Sequence, residues 1–342
     1  MLYWAQNRKG KDPMKNSAEY YMHSDEDRKI LEKINAFLPE RIFDAHAHLY
    51  STELLQSTAS INEEYGTADA KRFFEDAKLL YGGRPVQALF LPWPAVELRD
   101  PVVRNQINAW MVQQLEAAQG CAAEAFVLPT DTAEDVRSLL IHPRIRGFKC
   151  YFNSRPENNG ESDIADFLPE SAWQVANEKG LFITLHMMKT LSPADPVNVA
   201  YILDKTKQYP NAKLILAHCG RGFAAWTILE TARKLKGIPN LYYDMAAICE
   251  PAQMFEVIRQ AGVDHVMWGT DYPLCQLRSR PFSGGFGNFW MGKNQHPSMP
   301  CALMGVESLF AFYQASLMLD LSSEAVEDIF YNNAVRLFGL DA

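Results

Sequence analysis

The first apolar run of the chain reads Arg41-Ile42-Phe43-Asp44-Ala45-His46-Ala47-His48-Leu49-Tyr50. Its two histidines occupy positions i and i+2, which point to the same face of a β-strand. Two imidazoles side by side on one face are half of a binding site for a divalent metal ion. Further candidate ligands follow at the ends of later apolar runs, and these are His186, His218 and Asp271.

Seven more short apolar runs follow the first, with segments of helical periodicity between them. These runs are Val86–Pro94, Glu124–Asp131, Arg146–Phe152, Leu181–Met187, Lys213–Gly220, Leu241–Ile248 and Asp264–Pro273. Strands that alternate with helices predict a parallel sheet with right-handed crossovers, and eight strands close a (β/α)8 barrel. An open doubly wound sheet is the alternative, but the sequence has no Gly-x-Gly-x-x-Gly turn for it.

The chain divides into a short N-terminal unit and one large domain. Residues 1–40 comprise a polar arm and a helix over Ser24–Phe37, which Ser24 can cap. Residues 41–342 form the barrel domain and include two closing helices, Gly305–Leu319 and Ser322–Phe338. The predicted fold class is therefore α/β, a TIM barrel with an N-terminal helical arm and extra C-terminal helices.

Composition excludes several classes of function. The 342 residues are 48% hydrophobic and 22% charged, and the net charge of −8 does not suit a nucleic-acid-binding surface. The apolar runs are shorter than the roughly 18 residues of a membrane span, and the first residues lack the apolar core of a signal peptide. The six cysteines form no Cys-x-x-Cys pair, which favours free thiols in a reducing compartment. We therefore expect a cytoplasmic protein without nucleic-acid or membrane partners.

Polar residues concentrate where the active site of a barrel lies, at the C-terminal ends of the strands. His46, His48, Lys149, His186, His218 and Asp271 all lie in or at the end of apolar runs. Each has a structural interpretation alone: His186 as a hydrogen-bonded core histidine, for example, or Asp271 as a turn residue before Pro273. Together they favour a metal site, because buried polar groups need partners. Imidazole and carboxylate ligands suit zinc, with manganese, iron or cobalt as alternatives.

The sequence resembles the amidohydrolase superfamily, in particular its amidohydrolase-related (amidohydrolase 2) branch, over about residues 41–340. The resemblance lies in a set of motifs in the expected order: Asp44-Ala45-His46-Ala47-His48, Gly147-Phe148-Lys149, Thr184-Leu185-His186, Ala217-His218-Cys219-Gly220-Arg221-Gly222, Gly269-Thr270-Asp271-Tyr272-Pro273, and Asn332-Asn333-Ala334-Val335-Arg336-Leu337-Phe338. This branch includes lactonases of sugar acids and pyrone dicarboxylates and non-oxidative decarboxylases of aromatic or muconate-like acids.

The resemblance implies a role for each polar residue. His46, His48, His186 and Asp271 would bind one divalent metal, and Asp271 would also transfer a proton. His218 would bind a second metal or hydrogen-bond the attacking water or substrate. Lys149 occupies the position of a carboxylated lysine that bridges two metals in binuclear relatives, or else presents an ammonium to the substrate. One metal is favoured, with a second left open, and the catalytic residues are Asp271, His218 and Lys149.

Arginines near the predicted barrel mouth suggest a small carboxylate as the substrate, since a guanidinium matches a carboxylate. The candidates for binding it are Lys149, Arg221, Arg278 and Arg280. A long segment, Leu274–Pro300, carries the last two arginines together with the aromatic residues Phe282, Phe286, Phe289 and Trp290. Long loops in compact domains are usually functional. These aromatic residues suit a flat substrate or a partner subunit, so a homo-oligomer stays open, and the insertion Leu49–Gly66 is a second candidate wall.

Three functions are compatible with these residues. The first is a metal-dependent hydrolase in which metal-activated water attacks a small carboxylated lactone, ester or amide. The second is a metal-dependent non-oxidative decarboxylase or hydratase of an aromatic or muconate-like acid, with Asp271 or His218 delivering a proton. The third is a barrel whose metal is not catalytic. The five potential ligands and Lys149 disfavour it, because they are more than the four ligands of a closed tetrahedral site.

Overall fold

A computed structural model describes residues 23–56, 65–285, 287–292 and 301–340. Eight parallel strands pair in chain order, namely β1 Ile42–Leu49, β2 Val86–Pro92, β3 Ala122–Phe126, β4 Ile145–Cys150, β5 Phe182–Leu185, β6 Lys213–Leu216, β7 Leu241–Asp244 and β8 Val266–Met267. Hydrogen bonds from Ala45 N to Trp268 O and from Asp271 N to His46 O, both 2.9 Å long, join the first strand to the last. The predicted (β/α)8 barrel is confirmed.

The strands are short and almost completely buried, which explains why they read as continuous apolar runs. All eight residues of β1 are buried, including both histidines. Gly147 in β4 lies so close to the next strand that an added Cβ would be 2.4 Å from the Phe182 ring. Only a glycine fits at this point, so its position in the sequence is set by packing inside the barrel.

Helices cover the outside of the barrel between successive strands. They are α2 Ala70–Tyr81, α3 Pro101–Glu116, α4 Ala133–Ser138, α5 Glu170–Lys179, α6 Pro196–Gln208, α7 Ala225–Leu235 and α8 Pro251–Ala261, following α1 Asp25–Ile34 near the N-terminus. Side-chain caps start several of them: the Asp69 carboxylate accepts a hydrogen bond from Arg72 N, and the Asp195 carboxylate accepts one from Val197 N. The hydrophobic periodicity of the sequence does not predict α4, because a helix of six residues is too short to show it.

Segments from both ends of the chain pack outside the eight strands. Helix α1 is attached through Asp27, whose buried carboxylate accepts a hydrogen bond from Leu303 N (2.7 Å) and pairs with Arg278 (2.8 Å). After α9 Met304–Leu319, the chain continues through α10 Ser323–Glu327, a π-helical turn at Asp328–Asn332 and α11 Asn333–Phe338. The Phe338 ring lies 5.4 Å from Phe43 and 4.6 Å from Phe182, so this last helix packs against residues at the start of the barrel strands.

The segment after β8 differs from the long loop expected over Leu274–Pro300. It contains an antiparallel hairpin of β9 Ser279–Gly284 and β10 Gly287–Gly292, in which Phe282 pairs with Phe289. The sequence here is rich in glycine, and its apolar and polar residues alternate over too short a stretch to predict the hairpin. Phe286 and residues 293–300 lie outside the described residues, as do the arm 1–22 and residues 57–64 of the predicted insertion.

All six cysteines are buried free thiols, as the sequence analysis expected. A search of the helices in the described residues finds none with both the length and the apolar character needed to cross a membrane.

Candidate metal centre

His46 and His48 are held by different acceptors through the same ring nitrogen. His46 Nδ1 lies 2.9 Å from the carboxylate Oδ2 of Asp244, and His48 Nδ1 lies 3.1 Å from the carbonyl oxygen of Pro92. Both imidazoles are fully buried, and burial lowers the pKa of each well below its usual range. Each neutral ring carries one proton, and the acceptors place that proton on Nδ1. The Nε2 atoms are therefore bare lone-pair donors.

These bare nitrogens converge with a carboxylate oxygen. His46 Nε2 and His48 Nε2 are 3.2 Å apart, and each lies 3.6 Å from Asp271 Oδ1. Asp271 Oδ1 is buried and has no hydrogen-bond donor among the described residues. Three lone pairs that face one another repel unless a cation binds between them. Ligands of a tetrahedral zinc ion lie about 3.3–3.6 Å apart, given bonds of about 2.0–2.2 Å, so this triad fits a divalent metal.

The backbone around Asp271 is fixed by Asp44 of β1. Thr270 donates two hydrogen bonds to Asp44, from its backbone N–H (3.0 Å) and from its hydroxyl (2.5 Å). Burial raises the pKa of Asp44 to about 7. Asp271 itself adopts a positive φ of 60°, a conformation that aspartate tolerates better than most residues. In the absence of a cation, burial and the nearby Asp244 carboxylate raise the pKa of Asp271 to about 8.

His218 and His186 form a second pair beside this triad. His218 Nδ1 lies 2.9 Å from the carbonyl oxygen of Ala246, and its Nε2 lies 3.1 Å from His186 Nδ1. The far nitrogen of His186 lies 3.5 Å from the Tyr151 hydroxyl. The structure thus brings all four predicted histidines into one cluster, but His186 contacts His218 rather than completing the triad of His46, His48 and Asp271.

His218 begins an unusual turn after β6. Four consecutive residues, His218 to Arg221, have positive φ values of 56°, 54°, 72° and 58°, and only Gly220 among them is a glycine. The left-handed conformation costs about 1–2 kcal/mol for a residue with a side chain. The turn is held by surrounding contacts, including a 2.9 Å hydrogen bond from His218 N to Asp244 Oδ1. This turn places His218 and Arg221 on the same short segment.

Lys149 lies on β4 with its ammonium completely buried and without a hydrogen-bond acceptor among the described residues. Its charge contributes to lowering the pKa of His46, His48 and His186, so it lies among the cluster. Glu124 on β3 is also buried, and burial raises its pKa to about 8 against the opposing influence of Lys149. A buried cation near the histidines agrees with the expected position of Lys149 at the barrel mouth.

The predicted substrate-binding arginines have different surroundings. Arg221 is half-buried and donates to the carbonyl oxygen of Lys189 (3.1 Å), and no carboxylate lies within ion-pair distance of it among the described residues. Arg278 pairs with Asp27, and Arg280 pairs with Glu307 at 3.1 Å. Arg221 therefore lies near the histidine cluster, where its charge contributes to lowering the pKa of His186. Arg278 and Arg280 instead form ion pairs with Asp27 of α1 and Glu307 of α9.

Aromatic rings lie against the histidines. Trp93 is 5.5 Å from His48, Tyr151 is 4.8 Å from His186, and Phe223 is 5.8 Å from His218, measured between ring centroids. Trp290 of β10 packs edge-on against Phe223 at 5.6 Å, so the hairpin reaches the surroundings of the site. Three aromatic rings therefore adjoin three of the four histidines of the cluster.

Sequence reasoning missed several residues of this centre. The sequence analysis assigns no role to Asp244, at the end of the seventh apolar run, or to Trp93, Tyr151 and Phe223. The signal for Asp244 was available, because it ends a strand in the same way as the ligands do. The aromatic residues follow strand ends or turns, but sequence position alone does not show which side they face.

A family model described as amidohydrolase matches residues 43–340. The chain belongs to this amidohydrolase family, which comprises metal-dependent hydrolases and decarboxylases. A search of curated protein sequences gives no match to the chain.

Solved structures share the fold at low sequence identity. A 5-carboxyvanillate decarboxylase from Sphingomonas paucimobilis is 13% identical with a TM-score of 0.54, covering 89% of this chain and 100% of its own. A zinc-bound amidohydrolase from Burkholderia multivorans is 11% identical with a TM-score of 0.58, covering 88% and 99%. A candidate 2-pyrone-4,6-dicarboxylic acid hydrolase from Pseudomonas putida is 14% identical with a TM-score of 0.52, covering 88% and 98%. At these identities, the similarity establishes the barrel fold.

Proposed function

We propose that this enzyme binds one divalent metal, zinc by preference, and hydrolyses a small carboxylated lactone, ester or amide. The observation that carries the proposal is the convergence of His46 Nε2, His48 Nε2 and Asp271 Oδ1, three buried lone-pair donors 3.2–3.6 Å apart. The zinc-bound relative from Burkholderia multivorans supports zinc as the metal to test first. Mn, Fe and Co suit the same ligands.

His46, His48 and Asp271 would hold the metal, and His186, which contacts His218 in the same cluster, is the candidate for a fourth ligand. A divalent cation in this position lowers the pKa of a bound water and polarises a carbonyl group. Asp271 has a second carboxylate oxygen that can accept the proton of the attacking water and pass it to the leaving group. His218 donates through Nδ1 to the Ala246 carbonyl, so its Nε2 is an acceptor, which lies 3.1 Å from His186 Nδ1 and would orient the water once His186 binds the metal.

Lys149 and Arg221 supply positive charge for the substrate. The Lys149 ammonium is buried without an acceptor among the described residues and can stabilise the oxyanion that forms during attack. Arg221 is the better candidate for the substrate carboxylate, because its guanidinium is half-buried and lacks an acidic partner in the described part of the chain. Substrate binding by Arg278 and Arg280 stays a prediction. Their ion pairs with Asp27 and Glu307 do not favour it.

Decarboxylation of an aromatic acid is the second candidate, and a specific observation favours it. Aromatic rings adjoin three of the four histidines, at centroid distances of 4.8–5.8 Å, and a flat acid would stack well among them. The decarboxylase of 5-carboxyvanillate shares the fold. The same Asp271 carboxyl group, once protonated, would deliver a proton to the carbon atom that loses carbon dioxide.

The two reactions are separated by their products. Purified protein loaded with zinc or manganese is incubated with a panel of carboxylated lactones and esters and a panel of hydroxybenzoates and muconate-type acids. Release of acid without carbon dioxide supports hydrolysis. Release of carbon dioxide from the second panel supports decarboxylation instead. Activity must disappear on chelation and return with metal in either case. Activity that persists in metal-free protein overturns the proposed function.

A further inference from the structure

Asp244, the last residue of β7, touches the centre at two separate places. Its Oδ2 lies 2.9 Å from His46 Nδ1, and its Oδ1 accepts hydrogen bonds from His218 N (2.9 Å) and Ala246 N (3.1 Å). The carboxylate is completely buried. One side chain therefore connects a metal ligand of β1 with the left-handed turn that follows β6.

We propose that Asp244 is a positioning residue, which keeps the Nε2 lone pair of His46 directed at the metal and holds the His218–Arg221 turn in place. The proposal rests on the metal site of the proposed function. A metal-bound histidine usually donates its other N–H to a carboxylate or carbonyl, and this partner fixes the ring's tautomer and orientation. In this chain Asp244 is that partner for His46, as the Pro92 carbonyl is for His48.

The second contact concerns the turn. Its residues His218, Cys219 and Arg221 have side chains and yet adopt positive φ values, so the turn needs external hydrogen bonds to persist. Asp244 Oδ1 accepts the first N–H of the turn, while the Ala246 carbonyl accepts from His218 Nδ1. Because His218 and Arg221 are carried by this turn, Asp244 also sets their distance from the metal triad.

The substitution Asp244→Asn separates the two contacts. The amide oxygen can still accept from His218 N and Ala246 N, so the turn is retained. The amide nitrogen then faces His46 Nδ1 and can only donate, which moves the imidazole proton to Nε2 and blocks the metal-binding lone pair. Asp244→Ala removes both contacts. Glu124→Gln is a matched control, because it makes the same carboxyl-to-amide change at a buried barrel position with no histidine contact in the described residues.

The test measures metal affinity by competition with a chromogenic chelator, and thermal unfolding of each metal-free protein. Loss of an outer hydrogen-bond partner typically weakens metal binding by about 10- to 100-fold, so we expect that loss for Asp244→Asn at an unchanged unfolding temperature. Asp244→Ala should lose at least as much affinity and also unfold at a lower temperature. Glu124→Gln should bind metal within about twofold of the wild type, by contrast with this 10- to 100-fold loss.

Nitrogen NMR of histidine-labelled, metal-free protein gives a readout that does not depend on metal binding. We expect His46 to be protonated at Nδ1 in the wild type and at Nε2 in Asp244→Asn. If the wild type binds no metal but this shift occurs, the positioning role of Asp244 stands and the proposed function fails. An unchanged affinity and tautomer in Asp244→Asn overturn the inference. So does a wild type with two metals per chain of which Asp244→Asn loses one, because Asp244 would then be a ligand with His46 and His218.

Discussion

Replacing Arg278 by methionine tests whether this arginine holds the structure together or binds substrate. Its guanidinium is 2.8 Å from the Asp27 carboxylate, and the side chains are only 4% and 0% exposed. It also donates to the carbonyl oxygen of Cys301 at 3.3 Å. Methionine fills a similar volume but leaves the Asp27 carboxylate buried without its cation. Removing one partner of a buried ion pair costs about 3–5 kcal/mol, so we expect this decrease in the free energy of unfolding.

The interaction between the two residues can be isolated by a double-mutant cycle. Asp27→Asn alone should also destabilise, because it leaves the Arg278 charge buried. The double variant Asp27→Asn/Arg278→Met should lose clearly less than the sum of the single losses, since neither charge then remains. Interaction energies between contacting residues are about 0.5–3 kcal/mol, and this pair should lie at the upper end. Unfolding by urea, followed by far-UV circular dichroism, measures all four proteins.

Acid pH provides a second measure of the same pair. Burial acts to raise the pKa of Asp27, but hydrogen bonds from Arg278, Leu303 and Ser24 outweigh it and hold the pKa below its ordinary value. A carboxylate with a lowered folded-state pKa stabilises above its unfolded value, near 4, and this stabilisation is lost as the pH falls through the folded value. The difference between wild type and Arg278→Met should therefore shrink below about pH 4. The structural role would be refuted if Arg278→Met lowered the free energy of unfolding by less than about 1 kcal/mol, which is smaller than a buried pair allows, and at the same time raised KM strongly.

Three further predictions follow from the site and the core. Arg221→Met should raise KM for a carboxylate substrate about 10- to 100-fold, the equivalent of one charge-assisted hydrogen bond, with metal content unchanged; steady-state kinetics with an unchanged KM would contradict it. Burial, opposed by Lys149, raises the pKa of Glu124 to about 8, so its contribution to stability is complete below the unfolded pKa and is lost as the pH rises through 8. The free energy of unfolding of Glu124→Gln should therefore fall less than that of the wild type between about pH 5 and pH 9. An equal fall in both proteins, measured by denaturation at each pH, would contradict this. Phe338→Ala should lower the free energy of unfolding by about 3–5 kcal/mol by opening a cavity against Phe43 and Phe182, and a loss below about 1 kcal/mol would contradict the packing of α11 against these strands.

The barrel could be predicted because its information is local. Each strand is a short apolar run, and the alternation of strands with periodic helices fixes the class. His46 and His48 could be placed on one face from strand geometry alone, and the structure brings both Nε2 atoms together. Helix α4 could not be predicted from hydrophobic periodicity, because six residues are too few to show it. Its capping box, Thr132 with Asp135, was a usable local signal.

The connections between distant strands could not be predicted. The role of Asp244 depends on which side chains the stagger of the barrel brings beside it, and His46 is 198 residues away in the chain. Arg278 and Arg280 follow the last strand, a position that suggested the substrate. The hairpin and the acidic partners Asp27 and Glu307 direct them elsewhere, and these partners come from opposite ends of the sequence.

The central claim is that His46, His48 and Asp271 bind a metal, and metal content per chain tests it most directly. Protein purified without a histidine tag or added metal is analysed by elemental mass spectrometry, for the wild type, for His48→Ala and for the control His142→Ala, which changes a loop histidine outside the cluster. We predict about one transition metal per chain in the wild type and the control, and its loss from a folded His48→Ala protein. A wild type that binds no metal even when zinc is supplied, or a His48→Ala variant that keeps full occupancy, would contradict the account.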